Sequence, residues 1–259
     1  TKAAYEKEVK PELDEFSKLL TELPLSDQDK ATLGNFTFQC VQKYGVNYVD
    51  AWHKYFRSFG IQADSLGALK IIFTQMQLPA SVFAEFLNTI KENTFLEELP
   101  SSYLIPIHQQ LANFQFINRL TVTEKDKLSE LDKYKAILQQ IQNELEPDLG
   151  LGKKPEKKPE DAAEALPKEF IELLPPIAKI AYPIFLESKD SYLKITHNWL
   201  ASAGILNQWQ KPFITPIHQL YEMGLKEMEK VVAKNWAQKL LPPLTPILGK
   251  FPFTPEATL

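Results

Sequence analysis

The sequence predicts an all-α protein, a multi-helix bundle in two helical subdomains that ends in an extended proline-rich tail, and three observations predict it. Apolar residues recur at intervals of three and four along most of the chain, the spacing that lines one face of an α-helix. Glycine is scarce, at 9 residues, while 19 prolines stand mostly at junctions between periodic stretches, where proline opens or ends a helix but does not continue one. Serines, a threonine and an asparagine sit just ahead of several of these stretches, where a side-chain oxygen can accept the unpaired N–H groups of a first helical turn.

In chain order, Leu13, Phe16, Leu19 and Leu20 mark a helix after Pro11. Ser26, with Asp27 and Asp29 behind it, predicts the start of a second, because acidic groups are favoured near a helix N-terminus. Asn47 is read as the cap of a third, with Val49, Trp52 and Phe56 inward and Gly60 ending it in a left-handed turn. Ser65 opens a segment with Leu66, Leu69, Ile72, Phe73 and Met76 on one face. Leu78-Pro79 separates it from Val82, Phe83, Phe86, Leu87 and Ile90. Thr123, Glu124 and Asp126 resemble an N-terminal cap, and Leu128, Leu131, Tyr134, Leu138, Ile141 and Leu145 then form one apolar stripe.

Residues 147–161, within the run EPDLGLGKKPEKKPED, concentrate proline and charge without aromatic or β-branched side chains, the composition of an exposed connector. They divide the chain into an N-terminal subdomain, 1–146, and a C-terminal one, 162–259. In the latter, Ile177, Ile180, Ile184, Tyr192, Ile195 and Trp199 predict helical packing up to Gly204, and Trp209 and Phe213 read as core. Leu225, Met228, Val231, Val232 and Trp236 predict another helix. From about residue 240, prolines 242, 243, 246, 252 and 255 predict an extended tail.

Composition narrows the function. At 44% hydrophobic and 24% charged, the 259 residues are ordinary for a globular chain, and a formal net charge of −4 gives no field to attract nucleic acid. No apolar run approaches the roughly 20 residues of a membrane-spanning helix. The opening TKAAYEKEVK has neither Met nor a signal-peptide core, so the chain reads as a soluble piece of a longer protein whose anchors lie outside it. The single cysteine, Cys40, excludes an internal disulfide and reads as a small buried residue.

Motifs for chemistry are absent. His53, His108, His197 and His218 are too widely spaced for a zinc site, and no H-E-x-x-H pair occurs. Gly150-Leu151-Gly152-Lys153-Lys154 lacks the hydroxyl residue and the preceding strand of a phosphate loop. No G-x-S-x-G elbow is present. Asn35-Phe36-Thr37 matches a glycosylation acceptor formally but falls within a predicted helix. No cofactor, metal or small-molecule substrate is expected.

Two segments carry a resemblance. Tyr48-Val49-Asp50-Ala51-Trp52 is followed by SLGALKIIFTQMQLPASVFAEFLNTIKENTFLEEL from Ser65 to Leu99, and Trp236 precedes Leu248-Gly249-Lys250-Phe251-Pro252-Phe253. In this order they resemble the IcmF/TssM family of bacterial type VI and type IVB secretion systems. Its members carry a tyrosine-rich helix with a central Trp, a helix opening near Ser, a Ser-Pro break before an apolar helix, and a Gly-Lys/Arg-Tyr-Pro-Phe signature. Here Leu78-Pro79-Ala80-Ser81 occupies the break without the Ser-Pro order, and Phe251 stands in the tyrosine place. The resemblance makes Tyr48, Trp52, Ser65, Pro79, Trp236, Gly249, Lys250, Phe251, Pro252 and Phe253 motif positions of structural character.

What it implies is a periplasmic region of an inner-membrane core protein, non-catalytic, which scaffolds an envelope-spanning complex. The parent would pair with a DotU/TssL-like inner-membrane partner and reach an outer-envelope lipoprotein-type component, meeting the membrane only through segments outside this chain. Two other readings are a cytosolic helical adaptor and an enzyme whose site is assembled from distant groups such as Trp52 and His53.

Overall fold

The computed structural model describes residues 1–95, 105–121, 128–146 and 168–248, and among them every regular element is helical. The expected connector at 147–161, the Thr123 cap and the signature residues 249–253 lie outside the described residues. A short helix α1 (Lys2–Ala4) passes through a π-helical turn, Tyr5–Val9, into α2 (Lys10–Glu22). There follow α3 (Asp27–Ser58), α4 (Leu66–Gln77), α5 (Val82–Thr94), α6 (Ile105–Leu111), α7 (Gln115–Thr121) and α8 (Glu130–Leu145). The chain continues with α9 (Lys168–Glu172), α10 (Pro176–Phe185), α11 (Tyr192–Ser202), α12 (Lys211–Asn235), a second π-helical turn at Trp236–Leu240, and α13 (Leu241–Leu248).

Ser26 and Ser65 cap helices where the sequence places them, and Ser81 caps α5 where the sequence reading places no cap. Ser26 Oγ accepts from Asp29 N–H at 3.2 Å, Ser65 Oγ from Ala68 N–H at 3.2 Å and Ser81 Oγ from Ala84 N–H at 3.1 Å. Each such cap stabilises its helix by about 1 kcal/mol. Helix α8 is capped by Ser129, whose Oγ accepts from Asp132 N–H at 3.1 Å and donates to the Asp132 carboxylate at 2.6 Å. Leu128 therefore falls ahead of the helix, 67% exposed, and not on its buried stripe.

Asn47 caps nothing, because α3 runs unbroken for 32 residues, with the ordinary helix-forming sequence around Asn47 offering no break. Gly60 does not end it in a left-handed turn; the helix stops at Ser58 with Phe59 as an extended cap. Among the described residues only Glu187 and Gly204 take positive φ, at 53° and 66°. Both sit in the same kind of helix ending. Ile205 N–H donates to Leu200 O and Gly204 N–H to Ala201 O after α11, while Ser188 N–H donates to Pro183 O and Glu187 N–H to Ile184 O after α10. This is the paired bonding that closes a helix with a left-handed residue, a conformation natural to glycine and costly to glutamate.

Prolines 242, 243 and 246 do not make the chain extended, since helix continues to Leu248. Leu241 N–H reaches back to Trp236 O across the π-helical turn. Pro242, Pro243 and Pro246 bring no N–H to this continuous helical stretch, so carbonyls of the preceding turns go without that donor while the backbone stays helical.

The chain divides into two compact units that are not sequential. The first comprises Thr1–Ile61, Phe73–Ala136 and Asn198–Phe213; the second comprises Gln62–Ile72, Ile137–His197 and Ile214–Leu259. This differs from the sequential division at 147–161, because helical periodicity reveals which face of a helix is apolar but not which distant segment covers it. In the first unit α3 packs against α6, and α5 against α1 and α7. Its core is aromatic: Phe56, Phe73, Phe83, Phe86, Phe114, Phe116, Tyr134, Trp209 and Phe213 are all buried. Each such ring contributes about 1.5–3 kcal/mol by leaving water. In the second unit Leu174, Ala178 and Tyr182 form a cluster covered by Phe170, Ile171, Leu186, Met228 and Val231. There Gln142 Nε2 donates to Lys70 O at 3.2 Å and Lys70 pairs with Glu146 at 3.2 Å.

Candidate functional site

Of the motif positions, the fold brings Tyr48 and Trp52 together. They lie one turn apart on α3, in a line of rings running Tyr5, Tyr44, Tyr48, Trp52, Tyr55, with successive centroids 6.5, 5.9, 6.3 and 5.4 Å apart. Tyr48 is buried and its hydroxyl donates to Asn93 O at 2.6 Å, while the Asn93 side chain accepts from Lys2 N–H at 2.9 Å. One tyrosine thus ties α3 to the end of α5, and Asn93 ties α5 to the start of the chain. Burial pushes the Tyr48 phenol up to about 12 against the lowering contact of Trp52, so this hydroxyl stays a donor. Tyr5 is raised further by burial and by Asp14, and its hydroxyl is buried with no hydrogen-bond partner among the described residues.

Ser65 caps α4, and exposed Pro79 lies in the turn before Ser81 caps α5. Trp236 opens the second π-helical turn and is 53% exposed. Tyr48, Trp52 and Pro79 belong to the first unit, Ser65 and Trp236 to the second.

His53 sits on α3 with its ring 4.2 Å from that of Trp209 and 5.7 Å from that of Phe114. Its Nε2 and the Trp209 Nε1 are both buried with no hydrogen-bond partner among the described residues. Desolvation, helped by Arg57 and opposed by Asp50, holds the imidazole below its ordinary value, so it is neutral near pH 7. His197 is exposed, with Nδ1 2.8 Å from Leu193 O of its own helix. Among the described residues no group of three or more His, Cys, Asp or Glu side chains is placed to hold a metal ion. None of the described helices is long and apolar enough to cross a membrane.

A further aromatic knot was only partly visible in the sequence. Tyr134 stacks on Trp199 at 4.9 Å, its hydroxyl donates to Phe213 O at 2.9 Å, and Trp199 Nε1 donates to Glu130 O at 3.0 Å. Trp209 and Phe213 are core, as their spacing predicts. Other side chains reverse the expectation: Cys40 is exposed, and Val82, Val232 and Trp236 are exposed by 75, 50 and 53%. Each lies on a helix flank that no described segment covers, and periodicity alone does not distinguish such a flank from a core face.

These features define a class: an all-α protein of two helical units, the first built around an aromatic core, with large apolar side chains left in solvent on several helices. Comparison with protein-family models, with curated proteins and with solved structures finds no match.

Proposed function

We propose that this chain is a non-catalytic helical segment from the periplasmic part of an IcmF/TssM-type inner-membrane protein, which braces an envelope-spanning secretion complex. The observation that carries the reading is the order of elements around the first motif. A helix bearing Tyr48 and Trp52 is followed by a helix capped by Ser65, a turn at Pro79 and the apolar helix Val82–Thr94. That order is the one the resemblance describes, and Tyr48 has a positioning role in it through Asn93. The partners on this reading are a DotU/TssL-like inner-membrane protein, reached through the parent, and an outer-envelope lipoprotein-type component.

The test uses the parent protein with a reporter active only outside the cytoplasm inserted in this region, alongside a parent from which residues 1–259 are deleted. The expected result is an active reporter, and loss of complex assembly and secretion in the deletion. A silent reporter on a stably expressed fusion, or full secretion without the region, would sink the proposal.

A further inference from the structure

Two surfaces of this chain hold large apolar side chains in water, and their charges are opposite. On α2, the turn after it and the first turns of α3, Leu19, Leu23, Leu33 and Phe36 are exposed by 39–66%, with Leu33 and Phe36 on one face of α3. Over residues 10–30 the charged side chains are Glu12, Asp14, Glu15, Glu22, Asp27 and Asp29 against Lys10, Lys18 and Lys30; Glu22 and Lys18 form an exposed pair at 3.9 Å, and the acids still outnumber the lysines. Glu12, Glu15, Leu19 and Glu22 recur at three- and four-residue spacing, so α2 presents acid and leucine on one face.

The other surface is the C-terminal helical stretch. Residues 236–239 and 241–246 are all exposed, Trp236, Leu241 and Leu244 among them, and Val232 lies just before at 50%. From Lys230 to Leu248 the charged residues are Lys230, Lys234 and Lys239, with no acid. Lys230, Lys234 and Lys239 are all exposed; Lys230 pairs with Glu227 at 2.6 Å, and Lys234 and Lys239 have no ion pair among the described residues. A helix of this length with prolines that no described residue covers is marginal in water, and its exposed tryptophan and leucines make burial the favourable outcome.

We propose that the C-terminal helix of one copy docks, head to tail, on the acidic and apolar α2–α3 corner of a second copy. Charge complementarity selects this occupant: lysines approach Glu15 and Glu22 while Trp236 and Leu244 cover Leu19 and Phe36. Because the two patches differ, the contact is heterologous and leaves each partner one free patch, so the assembly grows until a ring closes or a filament forms. The inference stands independently of the secretion reading.

The test takes the full chain and two charge reversals at exposed positions, Lys234→Glu with Lys239→Glu, and Glu15→Lys with Glu22→Lys. Helicity by circular dichroism checks that each folds, and sedimentation equilibrium with light scattering reads association. The wild type should associate in a concentration-dependent, salt-weakened manner. Each variant alone should bind itself about tenfold more weakly or worse. An equimolar mixture of the two should regain association, because each then meets a partner of opposite sign. A wild type monomeric at all concentrations, association unmoved by either reversal, or a mixture no tighter than its components each overturns the proposal. So does a monomer whose tryptophan emission shifts on vesicles of phosphatidylcholine with phosphatidylglycerol, which assigns the apolar helix to a lipid surface instead.

Discussion

Gly224 lies buried in α12 against α10, and replacing it with alanine sets two effects of opposite sign against each other. In an isolated helix Gly→Ala stabilises by about 0.8–1.0 kcal/mol. Here a Cβ at residue 224 would stand 2.3 Å from the Ala181 Cβ and 2.8 Å from the Ile177 carbonyl oxygen. Neither neighbour has a rotamer with which to retreat, so the helices themselves must part. Overpacking of this kind costs about 1–3 kcal/mol, and two hard contacts place it at the upper end of that range. Gly224→Ala should therefore destabilise by about 2 kcal/mol net, lowering the melting temperature by roughly 4–8 °C. The control is Gly67→Ala in α4, where the nearest atom to a new Cβ is Ser65 Oγ at 4.0 Å; it should be neutral or stabilising. Urea and thermal unfolding followed by circular dichroism read both. A Gly224→Ala protein as stable as the wild type would refute the close crossing of α10 and α12.

Glu187→Gly should stabilise by about 0.5–1 kcal/mol, since relief of a left-handed glutamate costing about 1–2 kcal/mol outweighs the greater chain entropy that glycine loses on folding; a loss of stability in urea unfolding would contradict that ending of α10. His53 gives a pH dependence with a definite sign. Its folded pKa is depressed by burial, so the unfolded chain takes up a proton first; stability is unaffected above about pH 6.5 and falls as pH drops below it, until the folded histidine also titrates. His53→Phe, which keeps a ring against Trp209, should flatten the wild-type decline of melting temperature between about pH 7 and pH 5, and identical slopes for the two proteins would remove His53 as the cause.

The legible part of the fold is its local grammar. Ser26 and Ser65 cap as their hydroxyls predict, and Leu69, Phe73, Phe86 and Ile90 are buried at helical spacing. Gly204 ends α11 in the left-handed conformation that only glycine takes without cost. What stayed hidden is pairing across the sequence. Nothing local says that Trp209 meets His53, or that Phe213 receives the Tyr134 hydroxyl from 79 residues away. Hydrophobicity also misreads flanks: Trp236 has the spacing of a core residue and lies in solvent, because burial depends on whether another segment arrives. Of the motif positions, Tyr48 could be read as important but not as the group that fastens α5, since Asn93 carries no pattern in the sequence.

The line of rings from Tyr5 to Tyr55 has a photophysical consequence. Tyrosine emits where indole absorbs, and Trp52 stands inside the row, with neighbouring rings in contact. Light taken up by Tyr5, Tyr44, Tyr48 or Tyr55 will leave largely as tryptophan emission by resonance energy transfer. Detachment of the N-terminal segment from α3 would restore emission from Tyr5, so the chain carries its own optical gauge of whether its first residues are seated.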